Sequence, residues 1–286
     1  MRFLVVSALL VYGFPLVITE VVDSFSTCSD FFLIQQPPVI PGILENSASQ
    51  DNNRYKLICQ NYQNAYKFAT LYDTTNKIPV FSAYRYTGYY IGERHFPWKI
   101  EPQLETSDAA MKKPCVNQAS PEDYWRQDQL DRGHLFPNGQ TANKITAECT
   151  FTLTNTVPQY KNFNKGIWVT MEKTVRNTMN SHCRDKDNVN NILAYVLTGA
   201  VPSPANLLND RVNIPSFMWT VFCCYNHGTK KWTSQAHWAE HNNHNEVNTI
   251  NAINLEQFTV LIQNNYRQGS KLFSTDCSTF LDVNEG

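Results

Sequence analysis

Apolar and polar residues alternate, or run together in short blocks, along most of the chain. Text with strand character begins near Ile58 and recurs at Lys67–Tyr72 and Ile78–Tyr86. Between the last two, Asp73-Thr74-Thr75-Asn76 has turn composition and predicts a hairpin. Thr150–Thr156 alternates as a strand, and Asn191–Gly199, Phe217–Tyr225 and Lys231–Ala239 have β-rich composition. Two segments carry helical spacing instead. In Gly166–Thr178 and just beyond, Ile167, Met171, Val175 and Met179 recur at four-residue steps, and Leu255–Tyr266 aligns Leu255, Phe258, Leu261, Ile262 and Tyr266. The proline-rich run Gln35–Gly42 predicts an extended loop, because proline fixes φ and removes a donor. Pro97 through Pro121 is polar and weakly periodic, which predicts a long surface excursion. With no internal repeat, linker or shift in composition, the pattern predicts one mixed α+β domain around a mainly antiparallel sheet.

The first residues read differently. Arg2 followed by the short apolar core Phe3–Val11 predicts a signal peptide over 1–22, leaving 23–286 as the folded domain. A membrane anchor wants about 20 unbroken apolar residues, and Pro15 and Glu20 interrupt this stretch. Cleavage between Ile18 and Asp23 and a secreted protein without stable membrane association are the expectation. Cysteine usage agrees with export. All eight cysteines lie after the leader, and an even number in an oxidising compartment predicts up to four disulfides. Cys223 and Cys224 are adjacent in strand text, so their side chains face opposite ways and take different partners.

Composition excludes several classes. The 286 residues are 42% hydrophobic and 17% charged, which describes a globular chain rather than a disordered one. The formal net charge of −1 gives no global positive field of the kind a nucleic-acid binder often carries. Lys161, Lys165, Lys173 and Arg176 do cluster in one segment. No C-x-x-C pair supports a zinc ribbon, and no glycine-rich loop is present to cradle a phosphate. His237, His241 and His244 have a spacing that could bind zinc, but Asn242, Asn243 and Asn245 argue for an ordinary polar loop.

The candidate chemistry lies in residues 131–172. Asp131-Arg132-Gly133-His134 is followed by Asn155 and then by Asn164, Lys165 and Glu172. Histidine has the intrinsic pKa to take a proton from water near neutral pH. Gly133 leaves room for close approach beside it. A planar guanidinium such as that of Arg132 suits phosphate. Asn164 opens the helical text and Glu172 follows roughly two turns later, so a cation beside that face could meet both, directly or through water. Amide and carboxylate oxygens with retained waters suit magnesium.

This constellation resembles the DNA/RNA non-specific endonucleases, the ββα-metal (His-Me finger) family with a D-R-G-H motif, and in particular a secreted vertebrate branch of it. The resemblance implies a ββα active-site module and hydrolysis of DNA and RNA to 5′-phosphate ends. It implies His134 as general base and Asn164 as the direct protein ligand of a hydrated Mg²⁺, or another divalent cation such as Mn²⁺. It further implies Glu172 as holder of cation-bound water and Asn155 as a residue that places the base or substrate. Arg132 and Lys165 are candidates for substrate phosphate, with Arg94 as a second arginine and Arg85 its competitor. His134 and Asn164 are expected to converge within about 5–9 Å, allowing hydrogen-bond reach on each side of a phosphate. Near-neutral charge and the altered segment Leu135-Phe136-Pro137-Asn138 leave one alternative, a binding or signalling protein that keeps this fold with little catalysis.

Overall fold

Three apolar segments joined by tight turns fold back on one another and seed the sheet. Strand β1 (Glu20–Val22) lines the edge of β2 (Tyr55–Tyr62), which pairs in turn with β3 (Ala65–Asp73) and β4 (Ile78–Tyr86). Asp73 closes the predicted hairpin turn by accepting from the backbone N–H groups of Thr75 and Asn76. The computed structural model describes residues 20–92, 95–105, 114–125, 127–243, 249–273 and 277–281. Residues 1–19, on which the leader expectation mainly rests, lie outside them. Glu20–Val22 pair with Leu57–Cys59 at the edge of the sheet.

The sequence next places β5 (Leu130–His134) and β6 (Thr156–Tyr160), which pair only with each other, in antiparallel register from Leu130 opposite Tyr160 to His134 opposite Thr156. The chain then continues through α1 (Lys161–Phe163), a π-turn (Asn164–Trp168) and α2 (Val169–His182). This is a ββα unit. Strands β7 (Ala194–Val201), β8 (Phe217–Asn226) and β9 (Lys231–Glu240) complete the main sheet, with short β10 (Ala252–Ile253) and β11 (Thr279–Phe280) beside β9. Eight of the nine strands run β1-β2-β3-β4-β7-β8-β9-β10 and β11 lies off this path beside β9; among the described residues every pairing in the sheet is antiparallel except β9 with β11.

Both faces of this sheet are covered, which is why its central strands read as apolar runs. One face meets the ββα unit through Phe68, Tyr84, Phe136, Val157, Met171, Val175, Met218 and Phe222. The other meets α3 (Leu255–Asn265) and the N-terminal turns through Phe25, Phe81, Trp219, Phe258 and Ile262. The helical stripe predicted at Met171, Val175 and Met179 is buried as expected.

One strand expectation is corrected. Thr150–Thr156 is not a strand: Leu153–Asn155 is a 3₁₀ turn and the strand starts at Thr156. The buried Asn155 amide donates to the Thr150 carbonyl, and the Thr152 and Thr154 hydroxyls bond each other, so side chains compete with the ladder. Three disulfides form, within the expected maximum of four: Cys28–Cys59, Cys183–Cys224 and Cys223–Cys277, while Cys115 and Cys149 are buried free thiols. Cys223 and Cys224 take different partners, as strand alternation predicts.

Candidate active site

The D-R-G-H residues occupy β5, and pleating sorts them onto two sides. Asp131 and Gly133 share one face, Arg132 and His134 the other. The contacts follow this division.

On the first face, the Asn164 Nδ2 donates to Asp131 Oδ2 at 3.2 Å and the Lys165 ammonium lies 3.1 Å from the same oxygen. Among the described residues the Asn164 Oδ1 has no protein donor, so it is open to another partner. Asn164 is not a helix N-cap: α1 precedes it, and it begins the π-turn in which the backbone departs from helical values at Gly166 (φ −101°, ψ −107°). Inserted π-turns concentrate at functional sites because they re-aim side chains. Gly133 is explained by its neighbour rather than by room for substrate. A Cβ there would lie 2.0 Å from the Gln159 side chain, which is fully buried over this face. Both polar atoms of Gln159 are buried without partners. This residue was missed in the sequence, where nothing distinguishes it from any other strand glutamine.

On the second face, the Arg132 guanidinium sits between two rings, 4.9 Å from the Tyr124 centre and 5.6 Å from that of Trp98, and donates to the Pro121 carbonyl. The His134 ring packs 5.0 Å from Trp98 and 4.8 Å from Phe151. Desolvation in this apolar setting lowers the imidazole to about 4, so it is neutral and able to accept a proton at neutral pH. Its Nε2 is buried and unpaired, as is the Nε of Arg132. Among the described residues no hydrogen bond joins His134 to Asn164 or Glu172. The motif reaches the helix through Asp131 instead.

Glu172 lies on α2, partly buried, and desolvation raises its carboxyl to about 8, with the nearby Trp168 indole and Arg176 pulling the other way. The indole Nε1 does not complete a hydrogen bond. Glu172, Lys173 and Arg176 line a cavity of about 370 Å³ facing the loop Pro137–Gln140 that follows the motif. Arg176 stacks 4.4 Å from the Tyr89 ring and points one N–H at the Gly139 carbonyl. Asn155 is fully buried and fully bonded. Its Oδ1 accepts from Ser82 Oγ and the Phe136 N–H, and its Nδ2 donates to the Phe136 and Thr150 carbonyls. It holds the loop leaving His134 and has no polar capacity left for substrate.

Other candidates lie elsewhere. Arg94 and His244 lie outside the described residues. Arg85 is exposed beside Asp185 and Asn190, in a different surface pocket. His237 and His241 are buried and committed: His237 to Ile250 and Gln235, His241 to the Pro215 carbonyl and the Tyr160 N–H. His241 also stacks on Tyr160, so it braces the join between β6 and α1. Among the described residues no cluster of three or more His, Cys, Asp or Glu could cage a metal.

A ββα unit carrying D-R-G-H on its first strand and an asparagine at its helix entry defines a nuclease-type site. The chain belongs to the DNA/RNA non-specific endonuclease family, whose model matches residues 48–276. It is similar to the human endonuclease domain-containing 1 protein, at 30% identity over 212 residues, and to the mouse protein of the same name at 27%. Each alignment covers 70% of this chain and 39% of the relative, so the chain spans about two-fifths of the length of these relatives. In fold it is similar to a crystal structure of the EndoG/EndoGI complex, with a TM-score of 0.54 and 17% identity over 75% of this chain and 87% of that one.

Proposed function

We propose that this protein is a secreted, metal-dependent endonuclease that hydrolyses phosphodiester bonds of both DNA and RNA and leaves 5′-phosphate ends. The observation that carries the reading is the hydrogen bond from Asn164 to Asp131, which ties the helix entry to the D-R-G-H strand and leaves an amide oxygen open. One open amide oxygen beside the Asp131 carboxylate, with no three-residue cage among the described residues, fits a cation that keeps most of its waters, which is Mg²⁺ or Mn²⁺ rather than zinc. Asn164 would hold it directly and Glu172 through water. When bound, the cation supplies positive charge against the scissile phosphate and its leaving oxygen.

The remaining work falls to the chain's own groups. His134, neutral because it is desolvated, takes the proton from the attacking water. Arg132, held flat between two rings, presents its guanidinium edge to phosphate. Lys165 is an exposed cation whose ion pair with Asp131 is weak in water, so it can turn to a flanking phosphate. Asn155 fixes the loop behind the base.

A second reading, a nuclease-fold binding or signalling protein with little catalysis, is favoured by two observations: His134 Nε2 is buried, and Asn164 bonds to the face of β5 opposite the one that carries His134. Incubating the purified protein with plasmid and with structured RNA separates the two. The endonuclease cuts both with Mg²⁺ and neither with EDTA. Cutting that survives chelation rules out the metal-dependent mechanism, and no cutting under any condition leaves the binding protein.

A further inference from the structure

The two residues assigned to meet the phosphate share one neighbour. Trp98 touches both the Arg132 guanidinium and the His134 imidazole, and in each case the polar atom left without a partner, Nε of Arg132 and Nε2 of His134, is buried. A buried polar atom without a partner is costly, so two of them in one place point to groups awaiting a ligand.

Trp98 does not arrive there by accident of a loose loop. The Lys99 N–H donates to the Phe151 carbonyl at 2.9 Å and the Leu153 N–H donates to the Lys99 carbonyl at 2.9 Å, so the backbone beside Trp98 forms a parallel bridge to the segment that carries Phe151. Lys99 is pinned further by an ion pair with Glu148 at 2.7 Å. The Trp98 ring then lies 4.9 Å from Phe151, and the two rings close on the histidine from different sides. Phe151 is buried, whereas Trp98 is only partly buried and borders solvent.

We propose that Trp98 is a positioning and specificity-determining residue: its indole covers His134 and Arg132 until a polynucleotide displaces it. This rests on the assignment of His134 as general base. Displacing a packed indole requires binding energy from several nucleotides, which a small phosphodiester cannot supply, so the covered site selects for polymeric substrate. The charged groups on the elements packed around His134 are Asp131 and Arg132 on its own strand and the Lys99–Glu148 pair. Burial alone accounts for the lowered imidazole.

The test compares wild type with Trp98→Ala and Trp98→Phe in two measurements. The first is kcat/KM for bis(p-nitrophenyl) phosphate against that for a single-stranded oligonucleotide, with Mg²⁺. Trp98→Ala is expected to raise the ratio of small-substrate to oligonucleotide kcat/KM at least fivefold, with Trp98→Phe restoring most of the wild-type ratio. The second is the His134 imidazole titration followed by NMR in metal-free protein, which reads the cover without any catalysis. Removing the indole is expected to move that titration up by a unit or more toward the free imidazole value. An unmoved titration, or a loss of kcat/KM in the same proportion for both substrates, would overturn the proposal and leave Trp98 as ordinary packing. A His134→Ala protein that still cuts at the wild-type rate would instead overturn the assignment of the base.

Discussion

At the scale of the residue, the site is governed by which polar atoms are committed and which are not. Asn155 spends both its polar atoms on four protein partners, while His134 Nε2, the Arg132 Nε and the Gln159 amide have none. Stability would favour pairing all of them, and on the proposed reading His134 Nε2 and Arg132 Nε are where substrate is met. His134 carries the clearest consequence. Its imidazole is lowered to about 4, so it stays deprotonated and competent as a base well below the pH at which a free histidine would protonate. The acid limb of kcat/KM reports the free enzyme. The His134 contribution to that limb is expected near pH 4, separate from any limb set by the raised Glu172 carboxyl. An acid limb near the free imidazole value, about 6.5, would show that His134 is solvated in the working enzyme.

At the scale of the element, the ββα unit is fastened to the main sheet by one face of β4. Ser82, Tyr84 and Tyr86 point the same way and donate to Asn155, Gln140 and Asn180, reaching the turn before β6, the loop after the motif, and α2. Gln140 passes the restraint on by donating to the Glu172 carbonyl, and Cys183–Cys224 clamps the far end of α2 to β8. Asn155→Ala empties the centre of this arrangement and leaves several buried groups unpaired. It is expected to destabilise the protein by about 2–4 kcal/mol, from the cost of buried unsatisfied groups, and to lower activity through a displaced loop. A urea midpoint within error of wild type would refute that role.

The same elements show what sequence can and cannot reveal. Ile78–Tyr86 matches its predicted bounds, Phe217–Tyr225 is one residue short of β8, and the Leu255–Tyr266 helix is one residue too long. These segments have strong apolar patterns that burial on the sheet enforces. Thr150–Thr156 failed because Asn155 and the threonine hydroxyls bond locally, which periodicity does not register. The helix entry at Asn164 was legible only as a helix start, since no pattern signals a π-turn. D-R-G-H, Asn164 and Glu172 stand out in the sequence through their order and spacing, which is what the proposed chemistry rests on. Trp98 and Gln159 do not, since only the fold brings them to the motif.

At the scale of the whole molecule, the nine-stranded sheet is a platform with different tasks on its two faces. One face packs α3 and the N-terminal turns and serves stability, and the other carries the ββα unit. On the proposed reading, a net charge of −1 leaves recognition of a polyanion to local cations: Arg132 on β5, Lys165 in the π-turn, and Lys173 and Arg176 on α2. That arrangement suits binding by phosphate contacts without base readout, as the family description implies. The central claim is that the motif strand and the helix entry act together, His134 supplying the base and Asn164 holding the cation. The most direct measurement is the nicking rate of supercoiled plasmid in Mg²⁺ by wild type, His134→Ala and Asn164→Ala, with circular dichroism confirming that all three are folded. The account predicts that wild type nicks and that His134→Ala is slower by about 10²–10⁴, the usual contribution of a general base. It predicts that Asn164→Ala is slowed comparably and regains some activity only at much higher Mg²⁺. Wild-type nicking by either folded variant would contradict it.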